Sequence, residues 1–236
     1  MRTSSIFLLL IAGVVGAAAF MMTGSKVGPS AQKSQSAKNV KVKMIPKDAQ
    51  TLVLAGGCFW CLEVIFEELK GVYDVESGYA GGAKAGITYR EVGGGDTGHA
   101  EVIKISFDPK VISTEALMRL FFVIHDPTTL NSQGPDYGTQ YRSSIFYSNQ
   151  EEKALAEKIL KETNDKKIWQ NPIVTTIEPL TNYTVAESYH QDYFVRYEQA
   201  TPLERAGMNS GYCAAIIEPK VKKFRKEYLD KLKKGG

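Results

Sequence analysis

Between Thr51 and Gly71 the hydrophobic pattern changes its period across two glycines. Thr51–Ala55 is a short apolar run that Gly56-Gly57 stops. From Cys58 onward Phe59, Leu62, Phe66 and Leu69 recur at three- and four-residue spacing, a helix that ends at Gly71. A strand that turns through glycines into a helix puts Cys58 at the corner, in the first helical turn. There it faces unpaired backbone N–H groups and the positive end of the helix dipole. Both favour a thiolate, and the glycines permit close approach of a ligand. The same segment is also compatible with a small buried hydrophobe among aromatic core residues, with a thioredoxin-type CxxC redox pair, or with half of a zinc site.

The rest of the chain mixes strands and helices without a regular βαβ period. Val72–Tyr79 is strand-like and closes on Gly81-Gly82, and a glycine-rich loop runs over 80–100. Glu101–Phe107 alternates Ile103, Ile105 and Phe107 against Lys104 and Ser106, a strand with one buried face. Asp108-Pro109 turns into a helix that Ser113 caps, with Leu117, Leu120, Phe121 and Ile124 inward. A polar loop over 125–142 and a strand at Ser143–Tyr147 follow. Ser148 and Glu151 read as the capping box of a third helix. Ile173–Ile177 is strand-like, and a basic helix from about Lys220 closes the chain. The expectation is one α+β domain, a two-layer sandwich with a mixed sheet flanked by helices, ferredoxin-like, over 51–236. Loops as long as 80–100 and 125–142 are uncommon without a function.

The net charge of +3 describes no single surface. Residues 1–50 carry seven basic residues and one acid, and residues 218–236 carry eight and three. The central 51–217 carries 14 basic and 22 acidic residues. A core of that sign repels phosphate backbones, which argues against nucleic acid as a partner. Ile6–Met22 is an uncharged apolar run behind Arg2, with a small-x-small pattern at Ala17 and Ala19. Residues 1–22 therefore read as a signal peptide or an uncleaved membrane anchor, with a buried core helix as a third alternative. Residues 23–50 read as a flexible Ser/Lys/Gln/Gly-rich linker. Either export reading places the domain outside the cytoplasm, periplasmic or extracellular.

The motifs GCFWCLE, GVYDVESGYAGG, ITYREV, GDTGHAEV, HDPTTLNSQG, GTQYRS and AESYHQDYF stand in that order. In this the chain resembles the A-type peptide methionine sulfoxide reductases, from about Leu54 to the last helix. The resemblance implies reduction of methionine-S-sulfoxide, protein-bound and free, with no bound cofactor and a thioredoxin-like protein or other dithiol as electron donor. It implies that Cys58 attacks the sulfoxide sulfur and becomes a sulfenic acid, and that Glu101 supplies the proton to the departing oxygen. Tyr89 and Tyr141 are then oxygen-side donors, and Phe59 and Trp60 the apolar pocket for the methyl group. Asp136 and Tyr193 match further site positions that shape or hydrate the pocket.

Cys61 and Cys213 are both candidate resolving cysteines, Cys61 from the same helix and Cys213 by likeness to members that resolve from a mobile tail. The pattern departs there: Arg205–Gly211 lacks the Asn-Pro usual before the Tyr-Cys, and Gly93 stands where a cysteine is often found. His99, His125 and His190 are expected to be structural hydrogen-bonders, with no metal site. The expected molecule is a monomer, with a membrane tether if the anchor is retained. The alternative activity is a thiol–disulfide oxidoreductase using Cys58 and Cys61. A non-enzymatic binding module with structural cysteines is a third reading.

Overall fold

A computed structural model describes residues 44–233. The expected signal or anchor over 1–22 and most of the linker lie outside the described residues. The elements run β1 (Gln50–Gly56), α1 (Phe59–Glu67), β2 (Val72–Ala80), α2 (Tyr89–Val92), β3 (Ala100–Phe107) and α3 (Thr114–Ile124). A two-residue hairpin follows, β4 (Ser132–Gln133) with β5 (Asp136–Tyr137), then β6 (Ser143–Tyr147) and α4 (Gln150–Asp165). β7 (Thr176–Pro179), β8 (Thr184–Val185), α5 (Tyr193–Gln199) and α6 (Pro202–Arg205) lead to a C-terminal helical stretch. That stretch is α7 (Ser210–Tyr212), a π-helical turn over Cys213–Ile217, and α8 (Glu218–Glu227).

Six strands form one mixed sheet in the order β7-β6-β1-β3-β2-β8, antiparallel except for β6 with β7. The pleat separates its two faces. Leu52, Leu54, Ile103, Ile105 and Val75 point into the larger core, where α1, α3, α4, α5 and α8 pack. Val53, Ala55, Val102 and Phe146 point the other way, under Leu180 and Tyr183. The described residues therefore form a single α+β domain with helices on a mixed sheet.

Several local expectations shift. β3 is buried on both faces, because the 180–184 segment covers its second face. Lys104 is kept there by a 2.5 Å ion pair with Glu76 and by the Tyr183 ring 4.6 Å away. The expected capping box before α4 is replaced by a cap one residue later: Asn149 Oδ1 accepts the Glu152 N–H at 2.9 Å, while Glu152 accepts the N–H of Ser148, ahead of the cap, at 2.6 Å. Ile173 and Val174 give their N–H groups to Asn164 Oδ1 and to the Pro127 carbonyl, so strand pairing begins only at Thr176. Ser113 caps α3 as read, accepting the Ala116 N–H at 3.1 Å.

Candidate active site

The site forms where β1 leaves the sheet. Gly57 has φ +91, a left-handed conformation that a side chain would strain, and a Cβ there would meet the Gln133 side chain at 2.5 Å. The glycine thus lets the corner pack on the β4–β5 hairpin, where the sequence suggested ligand approach. Cys58 is the N-cap residue and Phe59 the first residue of α1. On β3, Glu101 shares its face with Ile103 and Ile105, so its carboxyl points at this corner. Its Oε2 accepts the Phe59 N–H at 3.0 Å.

Burial governs the protons here. The Glu101 carboxyl is pushed up to about 8 by burial, against the Phe59 N–H, and the Asp136 and Cys61 charges add to the rise. The acid therefore stays protonated at neutral pH. Burial also pushes the Cys58 thiol up, and its hydrogen bond with Cys61 and the Cys61 and Glu101 charges push the same way. That reverses the thiolate expected from the helix end: in the closed, substrate-free site desolvation outweighs the helix dipole. The thiolate is favoured one turn on. Cys61 is pulled down to about 7 by its hydrogen bond from Cys58, which overcomes burial, and the Lys220 charge assists. The two thiols are thus hydrogen-bonded to each other, and the pair ionises more readily than either buried thiol would alone.

A cavity of about 100 Å³ is lined by Cys58, Phe59, Trp60, Tyr89, Glu101, Asp136 and Tyr141, with Asn209 and Tyr212. Seven residues singled out from the sequence thus meet in one place. The Tyr89 and Tyr141 hydroxyls are both raised by burial and then by the Glu101 charge, Tyr89 to about 12, so both remain donors. Glu187 fixes Tyr89 by accepting its N–H at 2.9 Å, and holds the Tyr79 hydroxyl at 2.9 Å. Tyr193 stands behind the cavity wall, its ring stacked on Trp60 at 3.7 Å and 8°.

All three cysteines are free thiols and buried. Cys213 has no exposed surface, because the π-turn carries it into the large core rather than onto a tail. Burial and the Cys61 charge raise it to about 11. Tyr212, absent from the sequence assignments, donates to Asp136 Oδ2 at 2.6 Å and also meets Cys58. Its one signal is its place beside Cys213, since three-residue α7 has no readable period. Glu63 was likewise missed and is nearly inaccessible, at 2% exposure.

The histidines divide. His125 donates from Nδ1 to the Phe121 carbonyl at 2.6 Å and meets the Ser143 hydroxyl at 2.7 Å, and burial drives it down to about 3. His99 Nε2 meets the Lys84 carbonyl at 2.8 Å. His190 departs from expectation: its ring nitrogens have no hydrogen-bond partner among the described residues. Its ring packs at a tilt among those of Tyr189, Tyr89, Phe59 and Trp60. Among the described residues no group of three or more His, Cys, Asp or Glu side chains is arranged to hold a metal ion.

A hydrogen-bonded dithiol pair, beside an acid that burial keeps protonated and two phenol donors, has the makings of a thiol-dependent oxidoreductase. Such a site can add sulfur to an electrophile while protonating the oxygen that leaves. The family model for peptide methionine sulfoxide reductase matches residues 50–232, and the chain belongs to that family. Its relatives are of the A type. Peptide methionine sulfoxide reductase MsrA 1 of Rhodopirellula baltica is 46% identical over 84% of this chain and 96% of its own. The MsrA of Granulibacter bethesdensis is 48% identical over 77% of this chain and 92% of its own. Among solved structures, reduced Mxr1 from Saccharomyces cerevisiae has a TM-score of 0.60 at 40% identity, covering 70% of this chain and 95% of that one. Methionine sulfoxide reductase A of Corynebacterium diphtheriae has a TM-score of 0.62 at 31% identity, over 66% and 78%.

Proposed function

We propose that residues 51–236 form the catalytic domain of a peptide-methionine (S)-S-oxide reductase that repairs oxidised methionine in proteins and as the free amino acid. One observation carries the mechanism: the protonated Glu101 carboxyl lies against the Phe59 N–H in the cavity that holds Cys58. A sulfoxide expels its oxygen only if that oxygen is protonated. The Cys58 proton passes to Cys61, the Cys58 sulfur attacks the sulfoxide sulfur, and Glu101 protonates the oxygen. Tyr89 and Tyr141 hold the charge developing on that oxygen. Attack forms a Cys58–methionine S–S bond, and the S–O bond breaks as the oxygen, given a second proton by the Cys58–Cys61 pair, leaves as water. Water then adds to the Cys58 sulfur and returns a proton to Glu101, and the S–S bond breaks with its electron pair on the methionine thioether, leaving Cys58 as a sulfenic acid. Phe59 and Trp60 receive the methyl group, Asp136 orders the polar side of the cavity, and Tyr193 backs Trp60.

A thiol then displaces water from the sulfenic acid and forms a disulfide. Cys61, already hydrogen-bonded to Cys58, is the first resolver, and Cys213 is the second partner in a relay. A thioredoxin-like dithiol returns the enzyme to its reduced form. A plain disulfide exchanger would need the CxxC pair but not a buried acid beside it, which disfavours the alternative. The order β1-α1-β2-β3-α3-β6, with the four strands side by side as β6-β1-β3-β2, supports the ferredoxin-like description. The apolar run Ile6–Met22 behind Arg2 supports export, by a cleaved signal or a retained anchor, of a monomeric enzyme.

The test is a peptide carrying racemic methionine sulfoxide. Consumption of the S epimer alone, abolished by Cys58→Ser, is the expected result. Reduction of the R epimer, or activity surviving that substitution, would overturn the proposal.

A further inference from the structure

Glu63 is a buried carboxyl to which the reaction above gives no role. It lies on α1 three residues beyond Trp60 and touches no reacting atom. Its Oε1 accepts the Ser77 hydroxyl at 3.1 Å and the Asp192 N–H at 3.0 Å, and its Oε2 accepts the Tyr193 N–H at 3.3 Å. Asp192 and Tyr193 begin α5, where Asp192 is left-handed at φ 50. Carboxyl oxygens at such a helix start accept from N–H groups that have no partner within the helix, and they do so although burial raises Glu63 to about 8 and so keeps it largely protonated at neutral pH. Glu63 therefore caps α5 from another helix and pins that start to α1.

What it pins is the back of the cavity. The Tyr193 ring lies flat on Trp60, which lines the cavity. The Tyr193 hydroxyl accepts the Asn209 N–H at 2.7 Å, and Asn209 Oδ1 accepts the Tyr212 N–H at 3.4 Å. Tyr212 in turn donates to Asp136, another residue that lines the cavity. A continuous chain of contacts runs from Glu63 through Tyr193 to the Trp60 wall and to the arm that carries Tyr212 and Cys213.

We infer that Glu63 is a positioning residue for sulfoxide binding: by fixing the start of α5 it holds Tyr193 against Trp60 and sets the width of the methyl pocket. The inference rests on the reductase reading. Glu63→Gln keeps the volume but turns an amide NH₂ toward one of the backbone N–H groups, so one donor is opposed rather than accepted. Cys58 and Glu101 are untouched, so binding should suffer and chemistry should not.

The experiment is single-turnover release of methionine from an S-sulfoxide peptide, measured against peptide concentration without reductant. Glu63→Gln should raise the half-saturating concentration about tenfold, the usual cost of one buried donor left without its acceptor, with the maximal rate within about threefold of wild type. Tyr193→Leu should raise it similarly. The double variant should be no worse than either single one, because both act through the same stack. A purely global loss of stability would instead lower the active fraction and leave half-saturation alone. Half-saturation unchanged in Glu63→Gln, or effects that multiply to about a hundredfold in the double variant, would overturn the inference. If Glu63→Gln does not fold, Glu63→Asp, which withdraws the carboxyl by one methylene, takes its place in the cycle. A wild-type enzyme inactive on both epimers would instead overturn the reductase reading itself.

Discussion

The proton inventory of the site predicts its pH profile. Reaction needs one thiolate in the Cys58–Cys61 pair and a proton on Glu101. The pair gives up its first proton near 7 and Glu101 loses its own near 8, so the competent form exists in a narrow window. Two such ionisations leave about 60% of the enzyme competent at pH 7.5 and about 1% at either pH 5 or pH 10. Single-turnover kcat/KM should therefore be a bell with limbs near 7 and 8. Glu101→Gln removes the proton donor and the alkaline limb together. Its rate should fall by about 10²–10⁴ and then stay level above pH 8. The assay is stoichiometric methionine release from an S-sulfoxide peptide between pH 5 and 10, followed by rapid quench. A wild-type rate that climbs through pH 9, or an alkaline limb that persists in Glu101→Gln, would refute the assignment of the acid.

Other consequences are as direct. Mass spectrometry after one turnover without reductant should find a Cys58–Cys61 disulfide first, and Cys61→Ser should release one methionine per enzyme and then stall. Replacing Tyr89 and Tyr141 together with Phe should lower the maximal single-turnover rate by about 10²–10³ with little effect on thermal stability, since both hydroxyls serve the cavity. Glu187→Gln, which disturbs the support of Tyr89, should give a smaller loss of the same kind, read in the same assay. Stability should fall with rising pH. Because the folded Glu101 pKa of about 8 exceeds its unfolded value of 4.5, the folded state holds an extra proton between them. Its contribution is fully present below about pH 4.5 and lost as pH rises through 8, by up to about 5 kcal/mol. Denaturant titrations of wild type and Glu101→Gln at pH 5 and pH 8 measure the difference, and equal slopes in both proteins would contradict it.

The period change at Gly56-Gly57 was legible because a strand and a helix impose different spacings on apolar residues. It located Cys58 correctly at the corner. Glu101 was readable only through its motif; the pleat explains the rest, since it shares a face with Ile103 and Ile105. Tyr212 and Asn209 could not be read, because they lie in short helical turns whose place depends on contacts with Tyr193 and Asp136. Glu63 looked like any glutamate on a helix, and nothing local announces that its partners are residues 192 and 193. The thiol chemistry was misjudged at Cys58 for a similar reason. A helix end is visible in sequence, whereas desolvation depends on how tightly distant elements close.

That closure bears on how such a catalyst survives in the surroundings that make it necessary. Hydroperoxides and low-molecular-weight disulfides in solution react with thiolates they can reach. Here Cys58 is only 8% exposed and its thiol is held protonated, while Cys213 is wholly enclosed. An oxidant must fit a cavity of about 100 Å³ before it meets sulfur. Selectivity for one kind of oxidised molecule and resistance to the rest are thus the same property, and any substitution that opens the corner to solvent trades both away together.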